Sequence, residues 1–181
     1  MFGLQLDDAI ELRILEKRDA EALFELTDSC RDYLRQWLPW VDDIRKIDDT
    51  KEFIAATLRQ FASGDGAQAG IWSDGQLAGV IGHHYLDLQN KRTSLGYWLG
   101  ESFQGRGIMT RCCRYFVNHA FSQLGLHRVE IRCAVDNQKS RAIPERLGFE
   151  LEGVLRHNEV LYERVVDHAV YSMLAEQWER K

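Results

Sequence analysis

The sequence predicts one α/β domain over residues 1–181, in an α+β arrangement where a mixed, mostly antiparallel twisted sheet of about seven strands carries helices on both faces. Residues 68–99 hold three strand-like segments joined by tight polar turns, which is typical of an antiparallel meander. Residues 93–134 give a strand, a long amphipathic helix and another strand, and this unit implies a parallel pair with a right-handed crossover. A chain of 181 residues with 45% hydrophobic composition can bury one sizeable core.

The first third of the chain predicts one strand and two helices. Apolar residues occupy every second position over 10–14, which is the period of a half-buried strand. A helical period continues over residues 16–35, and Pro39 then breaks regular structure. Polar residues 48–50 offer an N-cap to a second helix, which ends at the glycine-rich turn 63–66.

The meander consists of predicted strands 68–72, 77–86 and 93–99. Asp74 and Gly75 form the turn between the first two strands, because glycine accepts the positive φ that a two-residue hairpin requires. The third strand delivers the chain directly into a glycine-rich loop.

A long helix is the clearest single element of the sequence. Its apolar side chains follow i, i+3 and i+4 spacing along one stripe, formed by Met109, Cys112, Cys113, Phe116, Val117, Ala120, Phe121 and Leu124. Burying most of this stripe would contribute roughly 10–20 kcal/mol before entropy is counted. Gly125 predicts the end of the helix, and residues 127–134 alternate as a strand.

The last part of the chain predicts a short helix and two strands. The helix follows Asp136 and Asn137 and contains Pro144, which we expect near its first turn because proline has no N–H to donate inside a helix. Residues 149–156 and 164–174 predict two strands joined by a polar loop.

Composition narrows the function classes. The formal net charge of −5 gives no electrostatic basis for binding nucleic acid and instead favours cationic partners such as amines. Four cysteines lack the spacing of a metal site, and we predict reduced core side chains and no metal. No run approaches 18 apolar residues, and no basic start with an apolar segment opens the chain, so we expect a cytoplasmic protein without a membrane span.

The loop Gln104-Gly105-Arg106-Gly107 lies between the third meander strand and the long helix. Its two glycines allow the backbone to turn sharply and to approach a ligand with no β-carbon in the way. The first N–H groups of the helix have no internal acceptor, and the helix dipole adds partial positive charge, so this position favours an anion. The alternative is a strand-to-helix turn that uses glycine only for its geometry.

Several motifs follow one another in the second half of the chain. They are Leu95-Gly96-Tyr97-Trp98-Leu99-Gly100, Gln104-x-x-Gly107, Asn137-x-x-Ser140 and Glu145-x-Leu147-Gly148-Phe149. This order resembles the GNAT superfamily of N-acetyltransferases, although Met109 departs from the small residue usual in its acyl-CoA loop. With residues 12–20, 33–40 and 167–174, the whole chain is similar to the RimL-type ribosomal-protein acetyltransferases.

The resemblance implies a GNAT fold, acetyl-CoA as co-substrate and direct acetylation of an amine. The sheet would splay after Trp98 and Leu99, whose main-chain groups would pair with the pantetheine arm. Amides of the loop and of the helix start would hold the pyrophosphate, and these residues are Gln104, Gly105, Arg106, Gly107, Ile108, Met109 and Thr110. Asn137 would hydrogen-bond the pantetheine, Ser140 would lie near the departing thiolate, and Glu159 would act through water as the base.

The residues themselves leave the proton acceptor open. An α-amine with a pKa of about 7.7–8 costs about 1 kcal/mol to deprotonate near neutral pH, whereas a lysine with a pKa of about 10.4 costs roughly 4–5 kcal/mol. A terminal amine therefore needs only a water-linked carboxylate. Glu101, His83 and His84 are alternatives to Glu159 as the proton acceptor. For Ser140 the alternative is that its sole role is to cap the N-terminus of the helix over residues 140–147.

The sequence favours an enzyme that acetylates the N-terminal α-amine of a ribosomal or other protein. One alternative is a small-amine acetyltransferase for a polyamine or an aminoglycoside, with an acidic pocket supplied by the pairs 42–43 and 48–49. Another is a CoA-binding module without turnover, which only the Met109 departure supports. Trp37 and Trp40 could line an acceptor groove, cap the core or form a homodimer interface.

Overall fold

The computed structural model of the protein describes residues 3–179 and contains one sheet. Its strands are β1 (Gly3–Gln5), β2 (Ile10–Ile14), β3 (Gln68–Ser73), β4 (Gln76–Asp87), β5 (Arg92–Leu99), β6 (Arg128–Ala134), β7 (Glu150–Leu161) and β8 (Arg164–Leu174). They lie in the order β1-β2-β3-β4-β5-β6-β8-β7. Neighbouring strands are antiparallel except β5 and β6, which run parallel, so the predicted mixed sheet is confirmed.

The described residues form eight strands, whereas the sequence predicted about seven. The additional strand is β1, which pairs with β2 from Gly3↔Arg13 to Gln5↔Glu11. Its three residues are too few to show an alternation of buried and exposed side chains. Pattern alone therefore does not reveal it.

Six α-helices accompany the sheet over residues 3–179. They are α1 (Ala20–Ser29), α2 (Arg31–Arg35), α3 (Ile47–Ser63), α4 (Ile108–Ser122), α5 (Gln138–Leu147) and α6 (Ala175–Trp178). The helices α1 and α3 pack on one face of the sheet through a cluster that contains Leu23, Ile54 and Val80. The helices α4 and α5 pack in the larger cluster, to which Val117 and Leu147 belong. Helices on both faces are as predicted.

The single helix predicted over 16–35 is divided into α1 and α2. The backbone at Cys30 has a φ of −127°, which ends α1 and begins α2. The Arg31 guanidinium donates to the main-chain oxygens of Val41 and Ile44, at 2.6 and 2.7 Å. The apolar period continues across this bend to the buried Leu34, so the sequence does not show the break.

The helix α3 begins earlier than the predicted cap at residues 48–50. Its N-cap is Lys46, and Asp49 is the third helical residue. The Asp49 carboxylate accepts the N–H groups of Arg45 and Lys46, at 2.9 and 3.0 Å. Asp49 therefore acts from inside the helix, as the acidic residue of a capping box does.

The parallel pair β5 and β6 determines where a cleft forms. Its ladder ends at the pair Leu95↔Ile131. Beyond this pair, β5 continues to Leu99 beside β4, and β6 continues to Ala134 beside β8. The sheet therefore splays after Leu95 and not after Trp98 and Leu99, and we call residues 96–99 of β5 the free edge.

The strands β7 and β8 form a hairpin where the sequence predicted two shorter strands and a polar loop. The ladder skips residues 156–158, which bulge opposite Asp167. The Asp167 carboxylate accepts the N–H of His157 at 2.7 Å, and His157 takes a positive φ of 51°. Glu159, which we expected in the loop, lies on β7 instead.

Pro144 lies in the interior of α5 and not in its first turn. Because proline has no N–H, the carbonyl of Ser140 four residues earlier has no helical donor. The hydroxyl of Tyr97 donates to this carbonyl at 3.2 Å. A side chain of the free edge thus supplies the missing hydrogen bond and holds the start of α5 beside β5.

All four cysteines are free thiols in the buried core. Burial raises the pKa of Cys112 to about 12, so this thiol stays protonated near neutral pH. None of the helices in residues 3–179 combines the length and the apolar character that crossing a membrane requires.

His83 is a buried histidine of β4 with 2% of its surface exposed. Thr93 donates its hydroxyl to the Tyr85 carbonyl, so the Nδ1–H of His83 donates to the Thr93 oxygen at 3.1 Å. Its Nε2 has no hydrogen-bond partner among the described residues, and its ring lies 5.2 Å from that of Phe116. Burial lowers the pKa of His83 to about 4. It packs against α4 and not in the cleft, so it is not a candidate base.

We expect His83 to lower the free energy of unfolding as pH falls from 6.5 towards 4. The unfolded chain binds a proton near the ordinary pKa, whereas the folded chain keeps His83 neutral until about pH 4, so protons favour the unfolded state in this window. The full shift corresponds to roughly 3 kcal/mol. Chemical denaturation at pH 7 and pH 4.5 should show a smaller loss for His83→Phe than for the parent protein. His127→Gln, at an exposed site, should lose as much as the parent, and an equal loss in all three proteins would contradict the prediction.

Candidate active site

A cleft of about 1260 Å³ opens where β5 and β6 diverge. Its walls come from the free edge, the loop before α4, the starts of α4 and α5, residues 33–40 and the β7–β8 hairpin. Almost all predicted site residues line it, namely Trp98, Leu99, Gln104, Gly105, Gly107, Ile108, Met109, Thr110, Asn137, Ser140 and Glu159. Of the residues predicted to hold the pyrophosphate, only Arg106 does not line it, and its guanidinium lies over the ring of Phe103 at 5.6 Å.

The free edge presents main-chain groups to the cleft. The N–H of Gly100 donates to the Ala78 carbonyl of β4 at 2.9 Å. Because hydrogen-bonded and non-bonded pairs alternate in an antiparallel ladder, the main-chain groups of Tyr97 and Leu99 point away from β4 and into the cleft. Those of Trp98 face β4. Of the two residues predicted to pair with a ligand's extended arm, Leu99 is therefore the one whose main chain is available.

The loop before α4 has the geometry of an anion site. Gly105 and Gly107 have φ values of +74° and +71°, which only glycine adopts without strain. A β-carbon at either position would meet no atom within 4 Å, so both face open space. Gly107 is the N-cap of α4, and the first N–H groups of this 15-residue helix therefore open on the cleft.

Cationic side chains surround this helix start, and none of them belongs to the motifs that predicted the site. Arg111 and Arg114 on α4, Lys139 and Arg146 on α5 all line the cleft. Arg111 is paired with Asp7 at 2.7 Å, and Arg146 donates to the Thr110 hydroxyl at 3.1 Å. Arg111 and Arg114 follow the glycine loop and are three residues apart, so they lie on the same face of the helix. This spacing is a sequence signal that could have indicated them. The α5 cations meet the loop only through the tertiary fold.

Gln104 and Met109 have side-chain positions that the motif did not reveal. The side-chain oxygen of Gln104 accepts a hydrogen bond from the Lys139 ammonium at 2.8 Å, which links the loop to α5. Met109 is 5% exposed and belongs to the buried core, so its larger side chain is accommodated away from the solvent.

Asn137 and Ser140 stand at the start of α5. Asn137 is the N-cap, and its side-chain oxygen accepts the main-chain N–H of Ser140 at 3.1 Å. The alternative in which Ser140 caps this helix is therefore wrong. The Ser140 hydroxyl lies 3.5 Å from the Tyr97 hydroxyl. Burial raises the pKa of Tyr97 well above its usual value, so Tyr97 remains a hydrogen-bond donor.

The hairpin places two titratable side chains in the cleft. The Glu159 carboxylate lies 3.2 Å from Nε2 of His168, and both residues line the cavity. Glu101 lines the same cavity from the short turn after β5. His84 also lines it, and its ring occupies the space that a β-carbon at Gly96 would need. Partial burial and the nearby Arg132 lower the pKa of His84, which keeps it neutral.

Residues 36–40 and the tip of the hairpin close one end of the cleft. The Tyr162 hydroxyl donates to the Leu38 carbonyl at 2.8 Å, and the Arg164 guanidinium donates to the Gln36 carbonyl. Trp40 packs against Trp98 with ring centroids 5.8 Å apart. Trp37 and Trp40 thus line the cleft. A homodimer through them remains a prediction.

The acidic pairs at 42–43 and 48–49 do not build a pocket. Asp42 pairs with Arg35 at 3.0 Å, and Asp48 pairs with Lys51 at 2.8 Å. Asp49 accepts the main-chain N–H groups at the start of α3. None of these carboxylates lines the described cavity.

The arrangement fits an extended thioester with a phosphate-bearing tail. The free edge offers main-chain partners for a peptide-like arm, and the α4 start with its cations offers a site for phosphates. The four cations and the α4 dipole would balance the negative charge of such a tail. These groups belong to one continuous cavity.

Comparisons with known proteins agree with this geometry. Residues 9–150 match a family described as an acetyltransferase (GNAT) domain. A Bacillus subtilis (strain 168) protein named "Putative ribosomal N-acetyltransferase YdaF" is 40% identical over 182 residues, which cover 99% of this chain and 98% of that protein.

Two solved structures are similar over nearly the whole chain. One is RimL, a ribosomal L7/L12 α-N-protein acetyltransferase in complex with coenzyme A, with a TM-score of 0.93, 28% identity and coverage of 97% of this chain and 99% of that one. The other is the microcin C7 self-immunity acetyltransferase MccE in complex with acetyl-CoA and AMP, with a TM-score of 0.90, 31% identity and coverage of 95% and 96%.

The resemblance inferred from the glycine loop and the motifs around it is confirmed. The family match spans most of the chain, and the related structures hold acetyl-CoA or coenzyme A. The chain belongs to the GNAT family and is an N-acetyltransferase that uses acetyl-CoA as its co-substrate.

Proposed function

We propose that the protein transfers acetyl directly from acetyl-CoA to the N-terminal α-amine of a ribosomal or other protein. The observation that supports this best is the cleft itself, which Ser140 and Glu159 line together with the free edge. Similarity to RimL, a ribosomal L7/L12 α-N-protein acetyltransferase, and to the putative ribosomal N-acetyltransferase YdaF supports a ribosomal protein as acceptor.

The free edge and the start of α4 would bind and orient the thioester. Main-chain groups of Tyr97 and Leu99 would pair with the pantetheine amides as a neighbouring strand does. The Asn137 oxygen is occupied by the helix cap, so its side-chain amide nitrogen is the group that can donate to the same arm. The pyrophosphate would lie on the N–H groups at the start of α4, beside Arg111.

Acetyl transfer requires charge stabilisation at the carbonyl and at the departing sulfur. The N–H of Leu99 would donate to the thioester oxygen as negative charge develops there. The Ser140 hydroxyl would donate to the sulfur as the carbon–sulfur bond breaks. In the structure this hydroxyl donates to the Tyr97 oxygen at 3.5 Å, while Tyr97 donates to the Ser140 carbonyl, so the Ser140 hydroxyl would rotate away from Tyr97 to reach the sulfur.

Glu159 would accept the proton of the attacking amine, through one water. A carboxylate is a weak base, and an α-amine with a pKa of about 7.7–8 is partly neutral at physiological pH, whereas a lysine is not. This difference favours a chain terminus over an internal lysine. The absence of acidic side chains from the described cleft other than Glu101 and Glu159 gives a multiply charged polyamine few partners.

The test is acetyl-CoA-dependent thiol release with a panel of acceptors. The panel contains peptides with free and with blocked α-amines, peptides whose only amine is a lysine, spermidine and an aminoglycoside. We expect release with free α-amines, and mass spectrometry should place the acetyl group on the terminal nitrogen. Activity confined to spermidine or the aminoglycoside would overturn the proposal, and acetyl-CoA binding without any release would favour the non-catalytic module.

Gly107→Val should weaken acetyl-CoA binding at least tenfold while the fold persists. The side chain would stand in the open space before α4, where the phosphates are proposed to lie. Isothermal titration measures the affinity. Gly64→Val is the matched control, because Gly64 has a similar φ of +76°, faces open space and lies outside the cleft. Both variants should lose similar stability, and intact binding by Gly107→Val would show that the loop is misassigned.

Ser140→Ala should lower kcat about tenfold or more with little change in affinity for acetyl-CoA. The fold should not change, because Asn137 caps α5 through the Ser140 main chain and not through its hydroxyl. Steady-state kinetics with the best acceptor and a binding titration give the two quantities. Ser122→Ala, on the exposed end of α4, is the control. An unchanged kcat would remove Ser140 from the mechanism.

A further inference from the structure

His168 is a half-buried polar residue of the cleft to which the proposed mechanism gives no role. Its side chain is 14% exposed, and it lies on β8 within the Asp167-His168 motif of the C-terminal region. Both of its ring nitrogens have partners. Nδ1 lies 3.1 Å from the side-chain nitrogen of Asn158, and Nε2 lies 3.2 Å from the Glu159 carboxylate.

These two partners define which nitrogen carries the proton. The amide nitrogen of Asn158 can only donate, so Nδ1 of His168 must be the acceptor. A neutral imidazole has one N–H, which is then on Nε2 and donates to Glu159. His168 consequently has no lone pair directed at the cleft and cannot itself remove a proton from the acceptor.

A bulge brings the three side chains together. Residues 156–158 are looped out opposite Asp167, whose carboxylate accepts the His157 N–H at 2.7 Å. His157 takes a φ of 51°, which is costly for a residue other than glycine. The bulge places Asn158 beside His168, and the ladder resumes at Glu159. Bulges next to active sites commonly redirect side chains in this way.

We propose that Asn158 and His168 are positioning residues that hold Glu159 as the base of the transfer, an inference that rests on the proposed function. One carboxylate oxygen of Glu159, Oε2, accepts the Nε2–H of His168. The other oxygen is then directed at the one water that bridges to the acceptor amine. During transfer an amine N–H bond breaks and an O–H bond forms on Glu159, while His168 keeps its single proton throughout.

The hydrogen bond from His168 would fix the orientation of the Glu159 carboxylate. Glu159 is 29% exposed, and a carboxylate on an exposed strand would otherwise sample several rotamers. A base contributes fully only when it is within hydrogen-bond reach of the proton that it removes. Fixing the rotamer through His168, and fixing the imidazole through Asn158, meets this requirement before the acceptor arrives.

The first measurement is the imidazole ¹⁵N NMR spectrum of the full-length protein with labelled histidine. The resonances of His168 are identified by their loss in His168→Gln. We expect the neutral tautomer with the proton on Nε2. Asn158→Asp replaces the donor to Nδ1 by an acceptor, so Nδ1 should become protonated in that variant. A proton on Nδ1 in the parent protein would overturn the proposal whatever the acceptor turns out to be.

The second measurement is steady-state kinetics. His168→Ala and Asn158→Asp should lower kcat roughly tenfold to a hundredfold, as loss of a residue that orients a reactive group does, and leave the KM for acetyl-CoA within about twofold. His168→Gln retains an N–H near the position of Nε2 and should recover part of the lost kcat. Val160→Thr, on the adjacent and 69% exposed position, is the control and should match the parent.

The outcomes separate this inference from the proposed function. If the parent protein acetylates no free α-amine, the proposed function fails. The tautomer measurement then still tests whether Asn158 and His168 hold Glu159 in place. If Glu159→Gln loses at least a hundredfold in kcat while His168→Ala stays within twofold of the parent, Glu159 is a base that needs no positioning residue and the inference is wrong. If His168→Ala changes only the thermal stability and not kcat, the contact is structural and the inference is equally wrong.

Discussion

The cleft exists because one parallel ladder stops early. The strands β5 and β6 pair only as far as Leu95 and Ile131, yet each continues beyond that point beside an antiparallel partner. Each strand keeps hydrogen-bonding to its outer neighbour, β4 or β8, so the gap lies between two strands that are each paired on their other side. The starts of α4 and α5 lie at the same gap, so main-chain donors, cations and the proposed catalytic side chains meet there.

Two departures from regular structure position the two proposed catalytic residues. At α5, Pro144 leaves the Ser140 carbonyl without a helical donor, and Tyr97 occupies it. At β7, the bulge over residues 156–158 interrupts the ladder just before Glu159. In a regular helix and a regular strand neither contact would form. Local irregularity near reacting groups is where strain is retained for function.

Features set by local pattern could be predicted from the sequence, and features set by distant contacts could not. The stripe of α4 and the glycine turn before it are visible within a few residues, because helical period and positive φ are local properties. The bend at Cys30 depends on the contacts of Arg31 with carbonyls more than nine residues away, so no local signal marks it.

The residues of the site also divide into those that a local motif predicts and those that only distant contacts bring together. Glycines, Asn137 and Ser140 follow a motif with fixed spacing, and the structure brings them to one cleft. The contact between Glu159 and His168 depends on a bulge, and a pattern of alternating residues cannot show where a ladder skips three positions. The free edge likewise begins where two strands stop pairing, which is a property of the sheet and not of either segment.

Two hydrogen bonds join the β7–β8 hairpin to the segment before Trp40, and we call them the bridge. Both are accepted by main-chain oxygens. Tyr162 and Arg164 reach the carbonyls of Leu38 and Gln36, and every residue type offers such a carbonyl. The side chains at positions 36 and 38 can therefore be exchanged without releasing the bridge, whereas those at 162 and 164 cannot. The contact that closes this end of the cleft is thus encoded at positions 162 and 164, so the side chain at position 38, which lines the cleft, can change while the closure is preserved.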